Sequence, residues 1–171
     1  MFREMRRIKQ QVSEEECLRI LKTERRGALA MIGEEGYPYA IPVNYYYDEN
    51  DGKIWIHGAK EGHKIDALKS CGKVCFTVWE QGELKEDDPF FWVTSVVIRG
   101  TAELVEDQED AYRHLRQIGL KYYPSAEYTD EVMARSASRV QMIAVTIDHM
   151  TGKLVHEKCL NDAAEAEQKH Y

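Results

Sequence analysis

From Gly27 onward the chain is a succession of short runs rich in aliphatic, aromatic and β-branched residues, separated by tight turns and interrupted by few helical stretches. Strands joined by tight turns pair antiparallel, whereas a parallel sheet needs a long, usually helical crossover between strands. The runs are Gly27 to Ile32, Tyr37 to Tyr47, Lys53 to His57, Lys73 to Glu80, Phe91 to Leu104 and Val140 to Ile147. Gly33-Glu-Glu-Gly36 and Asp48-Glu-Asn-Asp-Gly52 supply the turn chemistry between the first three. In Lys53 to His57, Ile54 and Ile56 alternate with Trp55 and His57, the period of a strand with two different faces. Lys73 to Glu80 and Phe91 to Leu104 read as a hairpin joined by the polar connection Gln81 to Asp88. Closing such a sheet on itself removes its exposed edges. The expected class is mainly β, an antiparallel barrel with peripheral helices.

The helices announce themselves by their ends. Ser13-Glu-Glu-Glu16 has capping-box spacing, and the helix behind it, with Cys17, Leu18, Ile20 and Leu21 on its apolar face, is expected to stop near Gly27. Further helical stretches are expected over His63 to Lys69, Glu106 to Tyr122 and, after Pro124, Asp130 to Ser136. A chain of 171 residues buries roughly 70% of its unfolded surface, so one core suffices. Residues 1–156 are expected to form one domain and 157–171 a peripheral Ala- and Glu-rich tail.

Charge narrows the function. Lys and Arg number 23 against 30 Asp and Glu, a net charge of −7, which repels phosphate backbones and disfavours nucleic acid as a partner. Arg3, Arg6, Arg7 and Lys9 form a basic arm, read as solvated or as crossing a dimer. The longest apolar stretch, Ala28 to Ile32, is far below the roughly 20 residues needed to cross a bilayer. The charged start lacks a signal peptide's apolar core, so a cytoplasmic address is expected and a membrane is not. Cys17, Cys71, Cys75 and Cys159 have neither redox nor zinc-knuckle spacing and read as reduced, mostly buried thiols. No H-E-x-x-H or similar ligand spacing occurs, and His114, His156 and His170 have no identifiable partners.

The segment His57-Gly-Ala-Lys-Glu-Gly-His-Lys64 carries the most chemistry: a strand end, a loop with two glycines, then a helix start bearing His and Lys. Free N–H groups at a helix N-terminus favour an anion, Gly58 and Gly62 allow close backbone approach, and Lys64 adds a full charge. That is the layout of a phosphate site. It matches neither a P-loop nor G-x-G-x-x-G, and an ordinary surface turn with a solvated lysine has the same residues.

Together with the opening Met-Phe-Arg-Glu-Met-Arg-Arg7, that segment, Gly36-Tyr-Pro-Tyr-Ala-Ile-Pro-Val-Asn44, Ser95-Val-Val-Ile-Arg-Gly100 and Asp148-His-Met-Thr-Gly-Lys153 give the chain a family likeness. It resembles the flavin-binding split β-barrel proteins related to pyridoxamine 5′-phosphate oxidase, and within them the nitroimidazole-resistance (Nim-like) branch. The resemblance implies a homodimer with two FMN molecules at the subunit interface. By motif, His63 and Lys64 would bind the FMN phosphate with loop amides near Gly62, and Pro42, Val43 and Asn44 would lie along the isoalloxazine and ribityl chain. Ser95 would offer its hydroxyl to the phosphate or ribityl region. His57 would line the substrate pocket and donate a proton or hydrogen bond there, as the side chain whose unperturbed pKa lies nearest neutrality. Trp55, Trp79 and Trp92 would pack in the core or interface, or stack on a flat ligand. His149 would have a structural role at a turn and strand end.

The activity so implied is FMN-dependent reduction of a small planar acceptor, such as a nitroaromatic. No dinucleotide fingerprint is present, so NAD(P)H, if the donor, would dock transiently over the flavin. A true pyridoxamine 5′-phosphate oxidase is the neighbouring reading, although the arginine- and histidine-bearing end segment of its better-known members is not visible here. A barrel that binds FMN or haem without turnover is the third, with His57 or His63 as the haem's axial residue.

Overall fold

The computed structural model describes residues 2–86 and 90–158. Its elements in chain order are α1 (Glu14–Thr23), β1 (Arg26–Ile32), β2 (Pro38–Asp48), β3 (Lys53–Ala59), α2 (His63–Ser70), β4 (Lys73–Trp79), β5 (Glu83–Leu84), β6 (Phe90–Leu104), α3 (Gln108–Tyr122), α4 (Ala126–Ser136) and β7 (Val140–Lys158). All the strand pairs are antiparallel, in the order β4-β1-β2-β3-β7-β6-β5, and a further pairing of β4 with β6 closes six strands into a ring. The mainly-β expectation holds, as does the β4–β6 hairpin. Part of the polar connection between those strands is itself the short β5, paired with Phe91 and Trp92.

Alternation along the strands divides the core in two. Leu29, Tyr45, Ile54, Ile56, Phe76, Val96, Ile98, Ile143 and Val145 fill the ring, closed over by Cys17, Ile20 and Leu21 of α1 and by Ile65 and Leu68 of α2. Trp55, Met142 and Ala144, on the opposite face of β3 and β7, pack against Ile118 of α3. Both faces of β3 are covered there, so Ile54, Trp55 and Ile56 are buried in succession. His114 belongs to this outer core: far from lacking partners, it is fully buried and stacked on Trp55.

Three expected boundaries move, the first being α4, which starts at Ala126 rather than Asp130 because the Ser125 hydroxyl caps it by accepting from the Tyr128 N–H. Ser13 caps α1 as its spacing predicts, its hydroxyl accepting from the Glu16 N–H, but the helix ends at Thr23 with Glu24 already extended. Gly27 lies instead inside β1, where a Cβ would overlap the Phe76 ring and press on the Thr77 carbonyl. Close packing, not a left-handed helix end, demands that glycine.

The last strand does not stop at Ile147. β7 continues to Lys158 along β6, so Asp148-His-Met-Thr-Gly-Lys153 is strand rather than turn, and His149 lies within the ladder opposite Arg99. The register shifts between Arg99 and Gly100, whose partners are His149 and Ile147, leaving Asp148 as the extra residue of a bulge. Gly100 permits it, since a Cβ there would press on the Thr146 carbonyl and the Val145 side chain. Asp148 Oδ2 accepts from Thr101 Oγ1 at 3.0 Å and from Lys73 Nζ at 3.3 Å.

The basic arm runs back over this strand: Phe2 stacks on His149 with ring centroids 4.7 Å apart, and the Arg99 guanidinium lies over the Phe2 ring. Cys17 is buried, Cys71 and Cys75 are only half-buried, and all three are free thiols; Cys159 and the tail from residue 159 lie outside the described residues. Among the described residues no helix is long and apolar enough to cross a membrane.

Candidate functional site

The phosphate-type layout forms where β3 runs into α2. Gly62 caps α2 at φ +118°, a conformation that L side chains rarely adopt, and its carbonyl accepts from the N–H groups of Ile65 and Asp66. The His63 and Lys64 amides open the helix, where no preceding turn supplies an acceptor. Lys64 does not extend into solvent. Its Nζ folds back to donate to the His57 carbonyl at 3.2 Å and lies against Gly58, where an added Cβ would sit 2.6 Å from it. Burial of the half-covered ammonium lowers its pKa.

Across from Lys64, β1 and β2 supply the rest of the site. Arg26 begins β1 directly opposite Asn44, and Pro42 lies opposite Ala28. Arg26, Pro42, Asn44, His57 and Lys64 open onto one concavity of about 400 Å³, with Ile41 and Val43 completing its wall. His57 Nδ1 is buried there with no hydrogen-bond partner. Burial first, and then the Lys64 charge, push the His57 pKa below its ordinary value of 6.5, so the imidazole is neutral at neutral pH.

Of the residues expected from sequence, Pro42, Val43, Asn44, His57 and Lys64 therefore meet in one place. Gly62 caps α2 but does not itself line the concavity. His63 is exposed and turned toward Tyr39, with ring centroids 6.2 Å apart, so its side chain does not line the concavity. Ser95 is on β6 in the ladder between Trp79 and Lys153, with β1 and β4 between it and Asn44, about three strand spacings or 14 Å along the sheet. Within one chain it does not join the others. None of the three tryptophans lines the concavity: Trp55 is in the outer core, Trp92 carries Lys85 Nζ 3.8 Å from its ring centroid, and Trp79 is 51% exposed on the ring's outer face.

Arg26 was absent from the sequence expectations. Its signal was the Arg25-Arg26 pair at the mouth of a strand, but which strand it would face depends on register.

The donor set fits a ligand with an anionic end and a flat polar body. Two cations and the opening amides of α2 receive the anion, an orphaned imidazole nitrogen and the Asn44 amide meet polar edges, and Pro42, Ile41 and Val43 offer apolar surface. A phosphorylated isoalloxazine has this chemistry.

The comparisons agree with that class. The pyridoxamine 5′-phosphate oxidase family matches residues 13–154, and the chain belongs to it. Its fold is the flavin-binding fold of that family. No curated protein matches the sequence. Among solved structures, a proposed 5-nitroimidazole antibiotic resistance protein from Bacteroides thetaiotaomicron is 25% identical, with a TM-score of 0.71 over 85% of this chain and 87% of its own. An FAD-binding protein from Mesorhizobium loti is 23% identical, with a TM-score of 0.61 over 85% and 96%. An FAD- and haem-binding protein from Mycobacterium smegmatis is 20% identical, with a TM-score of 0.69 over 91% and 80%.

Proposed function

We propose that this protein holds FMN in the concavity between β2, β3 and α2, as a homodimer, and serves to reduce a small planar acceptor of the nitroaromatic kind. The observation that carries the reading is the meeting of Lys64, Arg26 and the α2 N-terminus with the unpartnered nitrogen of a neutral His57. The likeness to the Bacteroides protein supports the acceptor class.

Bound flavin supplies the electron chemistry. The chain's own part is to bind, orient and keep out water. Lys64 and Arg26 neutralise the phosphate, with the His63 and Lys64 amides adding directional donors. Ile41 and Val43 exclude water from one side of the ring system. Asn44 pairs with its polar edge. Neutral His57 offers a ring nitrogen to the ligand or acceptor and takes up a proton only below its lowered pKa.

The outer face of β2, β1, β4 and β6 suits a subunit seam continuous with this site. Pro42, Ala28, Thr77 and Val97 form a cross-strand row on it, small or apolar throughout, with Ser95 and Trp79 paired beside them. In a dimer closed on this face, Ser95 reaches the partner's flavin rather than its own. A cytoplasmic address and transient docking of NAD(P)H belong to the same proposal.

The test is the chromophore of the purified protein. A flavin spectrum, FMN on release, one per chain, and reoxidation of the reduced protein by a nitroimidazole faster than by air are expected. A haem Soret band, or a colourless protein indifferent to added FMN, overturns the assignment.

A further inference from the structure

Away from that concavity, α3 buries an imidazole whose two nitrogens both face acceptors. The His114 side chain is 1% exposed and stacks on Trp55, with centroids 3.4 Å apart and planes 7° from parallel. Its Nδ1 is 2.9 Å from the Asp110 carbonyl oxygen, which can only accept, so Nδ1 carries the ring proton. Asp110 Oδ1, at 3.3 Å, also faces that nitrogen. A neutral imidazole then presents a bare lone pair at Nε2. Yet Nε2 faces two more acceptors, Asp48 Oδ2 at 3.2 Å and Asp51 Oδ2 at 3.7 Å. Three electron-pair donors converge on one point, with Nε2 and Asp48 Oδ2 within hydrogen-bond distance, so that either a second ring proton or a metal ion must stand between them.

The spacing suits a metal ion. With Zn–N and Zn–O bonds of 2.0–2.2 Å, ligand atoms around a tetrahedral zinc are separated by about 3.3 Å. The three atoms lie 3.2 and 3.7 Å apart where measured from Nε2, and all are within 4.8 Å of one another.

The surroundings are those of oriented ligands. The Asp110 carbonyl fixes the His114 tautomer, and the Trp55 Nε1–H donates to Asp51 Oδ2 at 3.1 Å. The remaining oxygens are held by turn donors: Asp48 Oδ1 by the Asn50 N–H and side-chain amide, Asp51 Oδ1 by the Lys53 N–H. Burial opposes the Asp48 charge, but the hydrogen bonds from the Asn50 N–H and side-chain amide favour it. Asp51, with its side chain 30% exposed, leaves a path to solvent.

We propose that Asp48, Asp51 and His114 form a structural divalent-cation site, suited to zinc, that pins α3 to the β2–β3 turn. The ion would join the second turn of α3 to the β2–β3 turn, a role separate from the flavin concavity.

The test uses the purified protein, dialysed against EDTA and then titrated with zinc alone. One zinc per chain is expected. The melting midpoint should rise by roughly 5–10 °C when free zinc is about 100 times its dissociation constant. Cobalt(II) should give tetrahedral absorption bands and quench Trp55 fluorescence. Asp51→Asn keeps one acceptor oxygen for two donors, the Lys53 N–H and Trp55 Nε1–H, so its metal-free midpoint should fall somewhat, but it should match wild type in flavin content and lose the zinc-dependent rise. Absence of a zinc-dependent rise in wild type, or its persistence in Asp51→Asn, overturns the site. Without such a rise in wild type, a second ring proton donated by Nε2 to Asp48 fills the position instead.

Discussion

Lys64 is placed to meet an anion yet bonded to the His57 carbonyl, so binding exchanges an ammonium–carbonyl hydrogen bond for one in which both partners are charged. Lys64→Ala should weaken FMN retention by about 1.5–3 kcal/mol, or roughly 10- to 150-fold, as measured by fluorescence titration of the apoprotein. Unchanged affinity would remove Lys64 from the phosphate site. Gly58→Ala tests the same contact from the backbone side, since its Cβ would sit 2.6 Å from Nζ, the movable end of a flexible side chain. Chemical denaturation should show nearly wild-type stability while flavin affinity falls.

His57 makes a pH prediction. Its folded pKa lies below the ordinary 6.5, so the unfolded chain binds the extra proton first as pH falls. The stability contributed by its neutral form is present above about pH 6.5 and is lost as pH drops through that value toward the folded pKa. His57→Gln should therefore lose less stability than wild type between pH 7 and pH 5, read from urea midpoints. Equal losses would mean that other groups govern the acid limb.

At the scale of elements, the C-terminal end of α3 is clamped to β2 by the Tyr122 side chain. The Tyr122 hydroxyl accepts from the Tyr45 N–H at 2.9 Å and faces the carbonyls of Tyr45 and Arg25. Beside it, Lys121 Nζ donates to the Glu24 carbonyl at 2.7 Å and lies over the Tyr45 ring, and burial lowers its pKa to about 8. Tyr122→Phe keeps the ring but leaves a part-buried N–H and carbonyl unpaired. It should destabilise by about 1–3 kcal/mol, with amide exchange rising first in α3 and the β2 segment around Tyr45. Uniform exchange changes would contradict a local clamp. The sequence shows α3 by its period, and Asp107 caps it as its residue type suits, but nothing local to Tyr122 points to β2. The long β7 was hidden likewise, because Thr-Gly at 151 and 152 reads as a turn until β6 is seen pairing with it.

For the molecule as a whole, the proposed seam is the main open consequence. Val97, 37% exposed, lies mid-row on the outer face of the ring, between Thr77 and Thr151. Val97→Asp leaves the inner core untouched and should yield a folded monomer by light scattering, with flavin lost in parallel if both chains build each site. A monomeric protein that keeps its flavin would place the site within one chain. The amino-acid order alone was enough to specify antiparallel strands, most helix positions and the His57 to Lys64 segment, because alternation, capping and glycine-permitted turns are local, acting over a few residues. Tertiary structure alone decided that Arg26 faces Lys64, that Ser95 stands apart from Asn44, and that His114 meets Asp48 and Asp51. Those meetings depend on strand register and on how the ring closes, which are set by the summed packing of distant residues and leave no local mark in the chain.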